Sequence, residues 1–330
     1  MGDSEARVDG WAVAAASVTV VLWASAFVSI RSAADHFSPG ALALGRLLTG
    51  SAVLVAVLLV QRRGRPLLPP RGAWPGVLVT GVLWFGGYMV ALNWGEQEVD
   101  AGTAAMIVNV GPILMALLGG WFLKEGFPPR LLAGMAVSFV GAVVVGLSMS
   151  DEGAASLLGV GLCLIAAVSY AVAVVSQKPA LAHASPVQVT TFGCLVGTLA
   201  CLPFSWQLVT EVQDAPWGAT LNVAYLGVFP TALAFSTWAY ALSRTTAGRM
   251  GATTYAAPGV VIVLSWLLLD EVPGALTMLG GLLCLAGVAV SRTRARGRSR
   301  RRAEGGSRPV RPGIVKTQPE TMEASGDRSG

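Results

Sequence analysis

The sequence predicts an all-α integral membrane protein of ten transmembrane helices, built as two inverted five-helix repeats, and three observations carry that expectation. Apolar residues make up 54% of the chain and charged residues 12%, against about 45–50% and about 25% in soluble domains. Ten stretches of the kind that cross a hydrocarbon core of about 30 Å, roughly 20 apolar residues each as helix, lie between Trp11 and Ser291. The second half also repeats the first. Arg31, His36 and Ser38-Pro39 return 147 residues later as Lys178, His183 and Ser185-Pro186. Gly81, Pro112, Glu125, Gly134 and Gly141 return 146 residues later as Gly227, Pro258, Glu271, Gly280 and Gly287. A unit with an odd number of spans inserts upside down the second time, the usual architecture of secondary transporters.

The spans follow in order. The first, 11–33, is too long for the apolar core of a signal peptide, and Asp3, Glu5 and Asp9 outnumber Arg7 before it, so it reads as a retained helix. Spans 38–60 and 74–95 flank a loop holding Arg62, Arg63, Arg65 and Arg71, and spans 101–123 and 130–149 flank Lys124 and Arg130. Spans 157–177 and 186–207 flank Lys178, and spans 219–243 and 248–269 flank Arg244 and Arg249. The last span, 274–291, runs into the arginine cluster Arg292 to Arg302. The alternate loops carry only Arg31 as a basic residue, and hold Glu96, Glu98, Asp100, Asp151, Glu152, Glu211, Asp214, Asp270 and Glu271. Positive residues stay on the cytoplasmic side. The expected location is therefore the plasma membrane, multi-pass, with both termini in the cytoplasm.

The expected domains are a cytoplasmic N-terminal tail, 1–10, a first repeat, 11–149, a second, 150–291, and a cytoplasmic tail, 292–330. The formal charge of +5 divides unevenly, because residues 292–330 hold eleven basic and four acidic side chains. That tail has too little apolar content to fold. Its arginines serve either as a topology anchor or as a site for anionic lipid. Cys163, Cys194, Cys201 and Cys284 lie inside spans without paired spacing and read as small buried hydrophobes.

Certain residues stand out against this apolar background. Leu22-Trp23-Ala24-Ser25-Ala26-Phe27 lies in the first span, and Pro39 precedes Arg46 by seven residues in the second. Pro112 leads to Leu123-Lys124-Glu125, and Pro258 leads to Leu269-Asp270-Glu271. In register across ten spans, these resemble the EamA repeat of the drug/metabolite transporter superfamily, over roughly residues 12 to 291. Ala24 stands where the family more often has Gly, and the second repeat has Gly193 where the first has Arg46. The resemblance implies a ten-helix bundle that exports or exchanges small metabolites.

Pro112 and Pro258 each remove an amide donor and crowd the carbonyl four residues earlier, at Val108 and Thr254. Such carbonyls turn toward protein or a wet cavity. Asn109 and Tyr255, one residue further on, are candidates to hydrogen-bond a solute or each other's half. Trp11, Trp74, Trp94, Trp206, Trp217 and Trp266 fall near span ends, where amphipathic rings anchor at the headgroups. Trp23, Phe27, Trp84, Tyr88, Tyr170 and Phe235 fall deeper, on spans that the resemblance places around a central cavity. An aromatic, largely uncharged cavity suits amphipathic organic solutes. Arg46 is the one charged residue deep within a span. It either snorkels or faces the cavity to hold an anionic group. Glu125 and Glu271 end spans four and nine, as helix-end contacts or as coupling carboxylates.

No Walker lysine loop is present, which argues against direct ATP drive, and no cofactor or metal is implied. The expected partners are a small-molecule metabolite and the lipid bilayer, with a second copy of the chain as a candidate and no nucleic acid. A non-transporting receptor or scaffold is the alternative reading. An intramembrane enzyme would need a nucleophile or acid cluster at one membrane face, and the sequence offers none.

Overall fold

Asp9 sets the start of the first helix, its carboxylate accepting from the amides of Trp11 and Ala12. In the computed structural model, which describes residues 9–61, 64, 66–98, 107–149, 156–257, 260 and 274–292, every regular element is helical. Helix α1 is Gly10–Ala34, α2 is Pro39–Gln61, α4 is Gly111–Phe122 and α5 is Pro129–Met149. Helix α6 is Leu157–Ala180, α9 is Ala247–Thr254 and α10 is Ala275–Arg292. Three longer rods are composite: α3 is Arg71–Glu98, α7 is Pro186–Asp214 and α8 is Trp217–Arg244. Starts are marked by short polar side chains that satisfy free amides. Ser156 accepts from Gly159, Thr246 accepts from Arg249, and Ser185 forms a capping box with Gln188 before Pro186.

Among the described residues, five helices, α2, α3, α6, α7 and α8, are long and apolar enough to cross a membrane. Large apolar side chains stand exposed along them and their neighbours, including Val60, Trp121, Leu164, Ile165, Leu199, Leu279 and Leu282. That surface suits lipid and not water. Helix α7 runs past the expected end at 207, because Leu202–Phe204 forms a 3-10 turn around Pro203 and the chain continues as the exposed helical segment Ser205–Asp214. A proline at the head of the new segment, where its missing donor costs nothing, explains the joint.

The two halves meet through reciprocal contacts. Helices α5 and α10 cross antiparallel along glycines. A Cβ at Gly134 would sit 2.5 Å from the Gly287 oxygen, and one at Gly141 would sit 2.6 Å from the Gly280 oxygen. Between them Ser138 Oγ donates to the Cys284 carbonyl at 3.0 Å, and Cys284 Sγ reaches back to the Ser138 carbonyl at 3.5 Å. Each contact is the exchange of the other under the 146-residue offset. A second exchange joins α2 to α8 and α7 to α3. Gly50 abuts Gly227 and Thr231, while Gly197 abuts Gly81 and Phe85. Both receiving helices are π-helical there, at Gly81–Tyr88 in α3 and Gly227–Leu233 in α8, and such segments recur at functional sites. Gly280 and Gly119 also approach other helices closely, whereas Gly86 and Gly87 meet no other helix closer than an ordinary contact.

The loops gather at two ends. At one, Arg244 pairs with Asp9 at 2.7 Å, Gln188 donates to the carbonyls of Pro66 and Leu67, and Gly72 packs on His183. At the other, the Ser38 amide donates to Glu211, Asn93 donates to the Pro39 carbonyl, and Ser156 pairs with Glu98. The main core is formed by residues of α1 to α4 and α6 to α9, with α5 and α10 packed on the flank of α4 and α9.

Candidate functional site

The deep aromatic residues come together. Trp84 of α3 lies 5.9 Å from Trp23 of α1, 5.2 Å from Tyr170 of α6 and 4.8 Å from Phe235 of α8, measured between ring centroids. Tyr88 joins through Tyr170 at 5.9 Å. Two rings that the sequence does not single out complete the cluster: Trp238 lies 5.0 Å from Trp23, and Phe85 lies 4.5 Å from Phe235. Trp238 sits three residues after Phe235, hence on the same helix face, and that spacing was the available signal. Edge and tilted geometries dominate, as ring quadrupoles favour. The rings close on one another, leaving Trp84, Phe85 and Trp238 almost wholly buried. Trp23 Nε1–H donates to the Pro230 carbonyl at 3.2 Å.

Arg46 does not snorkel. It is buried, its Nε donates to Thr231 Oγ1 at 3.1 Å, and its charge lies within electrostatic reach of Tyr88 and Glu96. Thr231 belongs to the π segment of α8. At the equivalent crossing Gly193 replaces the arginine and Phe85 replaces the threonine, with the phenyl ring occupying the space beside the glycine. A polar pair in one half is an apolar fit in the other.

Pro112 breaks its helix instead of bending it. Residues 109 and 110 form a turn, and α4 restarts with Pro112 as its second residue. A turn recurs at residues 255 and 256, at the end of α9. The two turns meet, since the Tyr255 hydroxyl donates to the Asn109 carbonyl at 2.7 Å. Gly111, beside this junction, packs on the Tyr170 ring, where a Cβ would lie 2.8 Å from Cδ1. The junction and the aromatic cluster are therefore contiguous. Pro258, Glu271, Trp266 and the side chain of Phe27 lie outside the described residues.

Glu125 caps the other half. A left-handed turn at Lys124 and Gly126 presents its carboxylate to the start of α9. There it accepts from the amides of Ala247 at 2.9 Å and Gly248 at 3.4 Å. Lys178, at the end of α6, donates to the carbonyls of Leu242 and Thr245 at the end of α8, and its charge interacts with that of Glu125. These contacts complement the partial charges of helix ends and pin α4, α6, α8 and α9 together at one end of the bundle. All four cysteines are buried and free. Among the described residues, no group of three or more metal-binding side chains is assembled.

Two related halves, apolar outer surfaces and a buried aromatic centre linked to broken helices define a multi-pass helical membrane protein. The chain belongs to the EamA-like transporter family, whose model matches residues 10–147 and again residues 157–293. It is 35% identical over 301 residues to a protein of Streptantibioticus cattleyicolor named "Probable terminal-alkyne amino-acid exporter", covering 90% of this chain and 98% of that one. It is 34% identical over 273 residues to the uncharacterized transporter YdfC of Bacillus subtilis, covering 82% and 88% respectively. A solved crystal structure at 22% identity superposes with a TM-score of 0.71 over 85% of this chain and 96% of the other, a likeness of fold alone.

Proposed function

We propose that the chain is a secondary transporter that exports or exchanges small amino-acid-like solutes by alternating access. Ten membrane-spanning helices in two inverted five-helix repeats, within the plasma membrane and with both termini in the cytoplasm, complete the proposal. The observation that carries it is the reciprocal crossing of α5 and α10. Equivalent helices of the two halves pack antiparallel, with Ser138 opposite Cys284, which supports repeats of opposite orientation. The grouping of loops at two ends agrees with the alternation of basic loops along the chain.

In this reading the solute's apolar part lies among Trp23, Trp84, Tyr88, Tyr170 and Phe235, with Phe27 on the same helix as Trp23. Asn109, Pro112, Tyr255 and Pro258 supply the polar junction, and Arg46, bonded to Thr231, lines the same path. Glu125 and Glu271 serve as helix-end latches, and rocking one half against the other alternately releases them. The amino-acid class is favoured because the relative from Streptantibioticus cattleyicolor is named as a probable exporter of a terminal-alkyne amino acid, and a buried aromatic centre suits an apolar group such as an alkyne. Deleting and overproducing the protein, followed by untargeted comparison of metabolites inside and outside cells, tests the reading. A solute that accumulates inside on deletion and outside on overproduction is expected, and unchanged pools would oppose it.

A further inference from the structure

Five buried side-chain polar atoms make no hydrogen bond of normal geometry among the described residues, and four of them lie on two facing helices: Tyr170 Oη, which has the Thr254 side chain beside it, and both amide atoms of Gln177 on α6, and Trp238 Nε1 on α8. The fifth, Ser38 Oγ, is at the opposite end, before α2. Gln177 is wholly buried, Trp238 is 1% exposed and Tyr170 is 6% exposed. The Tyr170 and Trp238 rings stand 6.3 Å apart between centroids. Gln177 follows Tyr170 by seven residues, about two turns, which places it on the same helix face. Val174 and Leu181, also on that face, pack in the same core cluster as Trp238. Gln177 thus extends the face of α6 from the aromatic cluster toward Lys178 and its contacts with the end of α8.

Buried polar groups are almost always paired, and an orphan calls for an explanation. An apolar residue of the same shape at these positions would be neutral or stabilising. Packing therefore gives no reason for a buried glutamine amide with neither oxygen nor nitrogen bonded among the described residues. A ligand that enters when the end closed by Lys178 and Glu125 opens would give one.

We infer that Gln177, Tyr170 and Trp238 form a hydrogen-bonding subsite for the polar head of the transported solute, a head that carries donor and acceptor together and no net charge, as a zwitterionic amino acid does. The inference rests on the transport reading above and adds the recognition of the head group. Trp238 donates only, the Tyr170 hydroxyl and the Gln177 amide both donate and accept, and none of the three is charged. A head of net charge would be buried there without a counter-ion, which is costly. The apolar side chain of the solute would then lie toward Trp23, Trp84 and Phe235.

The test uses the purified full-length protein and two probes, L-propargylglycine as the zwitterion and its methyl ester as the cation, with binding read by thermal shift and flux read in proteoliposomes. The variants are Gln177→Leu and the isosteric Tyr170→Phe. Wild type is expected to bind the zwitterion at least tenfold more tightly than the ester. Both variants should weaken zwitterion binding about tenfold, while the ligand-free melting temperature stays equal or rises. Unchanged affinity in both variants overturns the subsite and leaves the transport reading standing. Absence of binding of either probe to wild type also overturns it. Binding that depends on Gln177 without any flux supports the subsite and counts against the transport reading.

Discussion

The Tyr255 hydroxyl and the Asn109 carbonyl, 146 residues apart and equivalent in the two halves, share a hydrogen bond of 2.7 Å across the point where both helices break. This bond ties the two turns together beside the Tyr170 ring. Tyr255→Phe removes one hydrogen bond of the Asn109 carbonyl, so stability should fall by about 0.5–1.5 kcal/mol, seen as a lower melting temperature in detergent. Flux should fall with it. Asn109→Leu retains the carbonyl and isolates the side chain, and it should reduce flux without removing the Tyr255 bond. Wild-type transport kinetics in both variants would make the junction a packing joint only.

The α5–α10 crossing should tolerate no added side chain. A Cβ at Gly141 would stand 2.6 Å from both the Gly280 oxygen and the Cys284 amide, backbone atoms that cannot step aside. Gly141→Ala should destabilise by about 1–3 kcal/mol, the usual cost of overpacking. Gly218→Ala is the control, because open space surrounds that position. Thermal denaturation of the two variants side by side checks the contrast, and equal melting temperatures would contradict the close crossing.

Glu125 holds the start of α9 by two amide bonds, at 2.9 and 3.4 Å. Removing a cap of this kind costs about 0.5–2 kcal/mol. Glu125→Ala should loosen this end of the bundle, so that a cysteine placed at Ala241 gains reactivity toward a small water-soluble maleimide. Glu125→Gln keeps an acceptor oxygen and should fall between the two. Unaltered labelling in the alanine variant would separate Glu125 from the closure.

Topology follows from the ends at which the loops gather. A cysteine at Arg71, on the end that holds Asp9 and Arg244, should react in intact cells only with membrane-permeant reagents. One at Asp214, on the end that holds Glu211 and Ser38, should react from outside. The reverse pattern would invert the orientation of the whole chain.

Much of this architecture is legible from spacing alone. The offset of 146 residues anticipates the Ser138–Cys284 and Asn109–Tyr255 pairs, because equivalent positions near a two-fold relation meet each other. Pro112 announces its break through the missing amide, and the basic loops anticipate which loops share an end. Other features leave no mark in one dimension. The π segments of α3 and α8 depend on how glycine-lined neighbours approach, and that approach is a tertiary property. The asymmetry of Arg46 and Gly193 becomes intelligible only beside Thr231 and Phe85, whose exchange compensates it. Gln177 looks like an ordinary polar residue near a helix end until its burial without partners among the described residues is seen.

Flux of L-propargylglycine across proteoliposomes containing only this protein tests the central claim most directly. With the solute loaded inside, efflux should exceed that from empty liposomes and saturate with concentration. Unlabelled solute outside should accelerate release of the labelled solute if the two halves alternate around one site. Efflux equal to that of empty liposomes, for this solute and for a panel of apolar amino acids, would contradict the account.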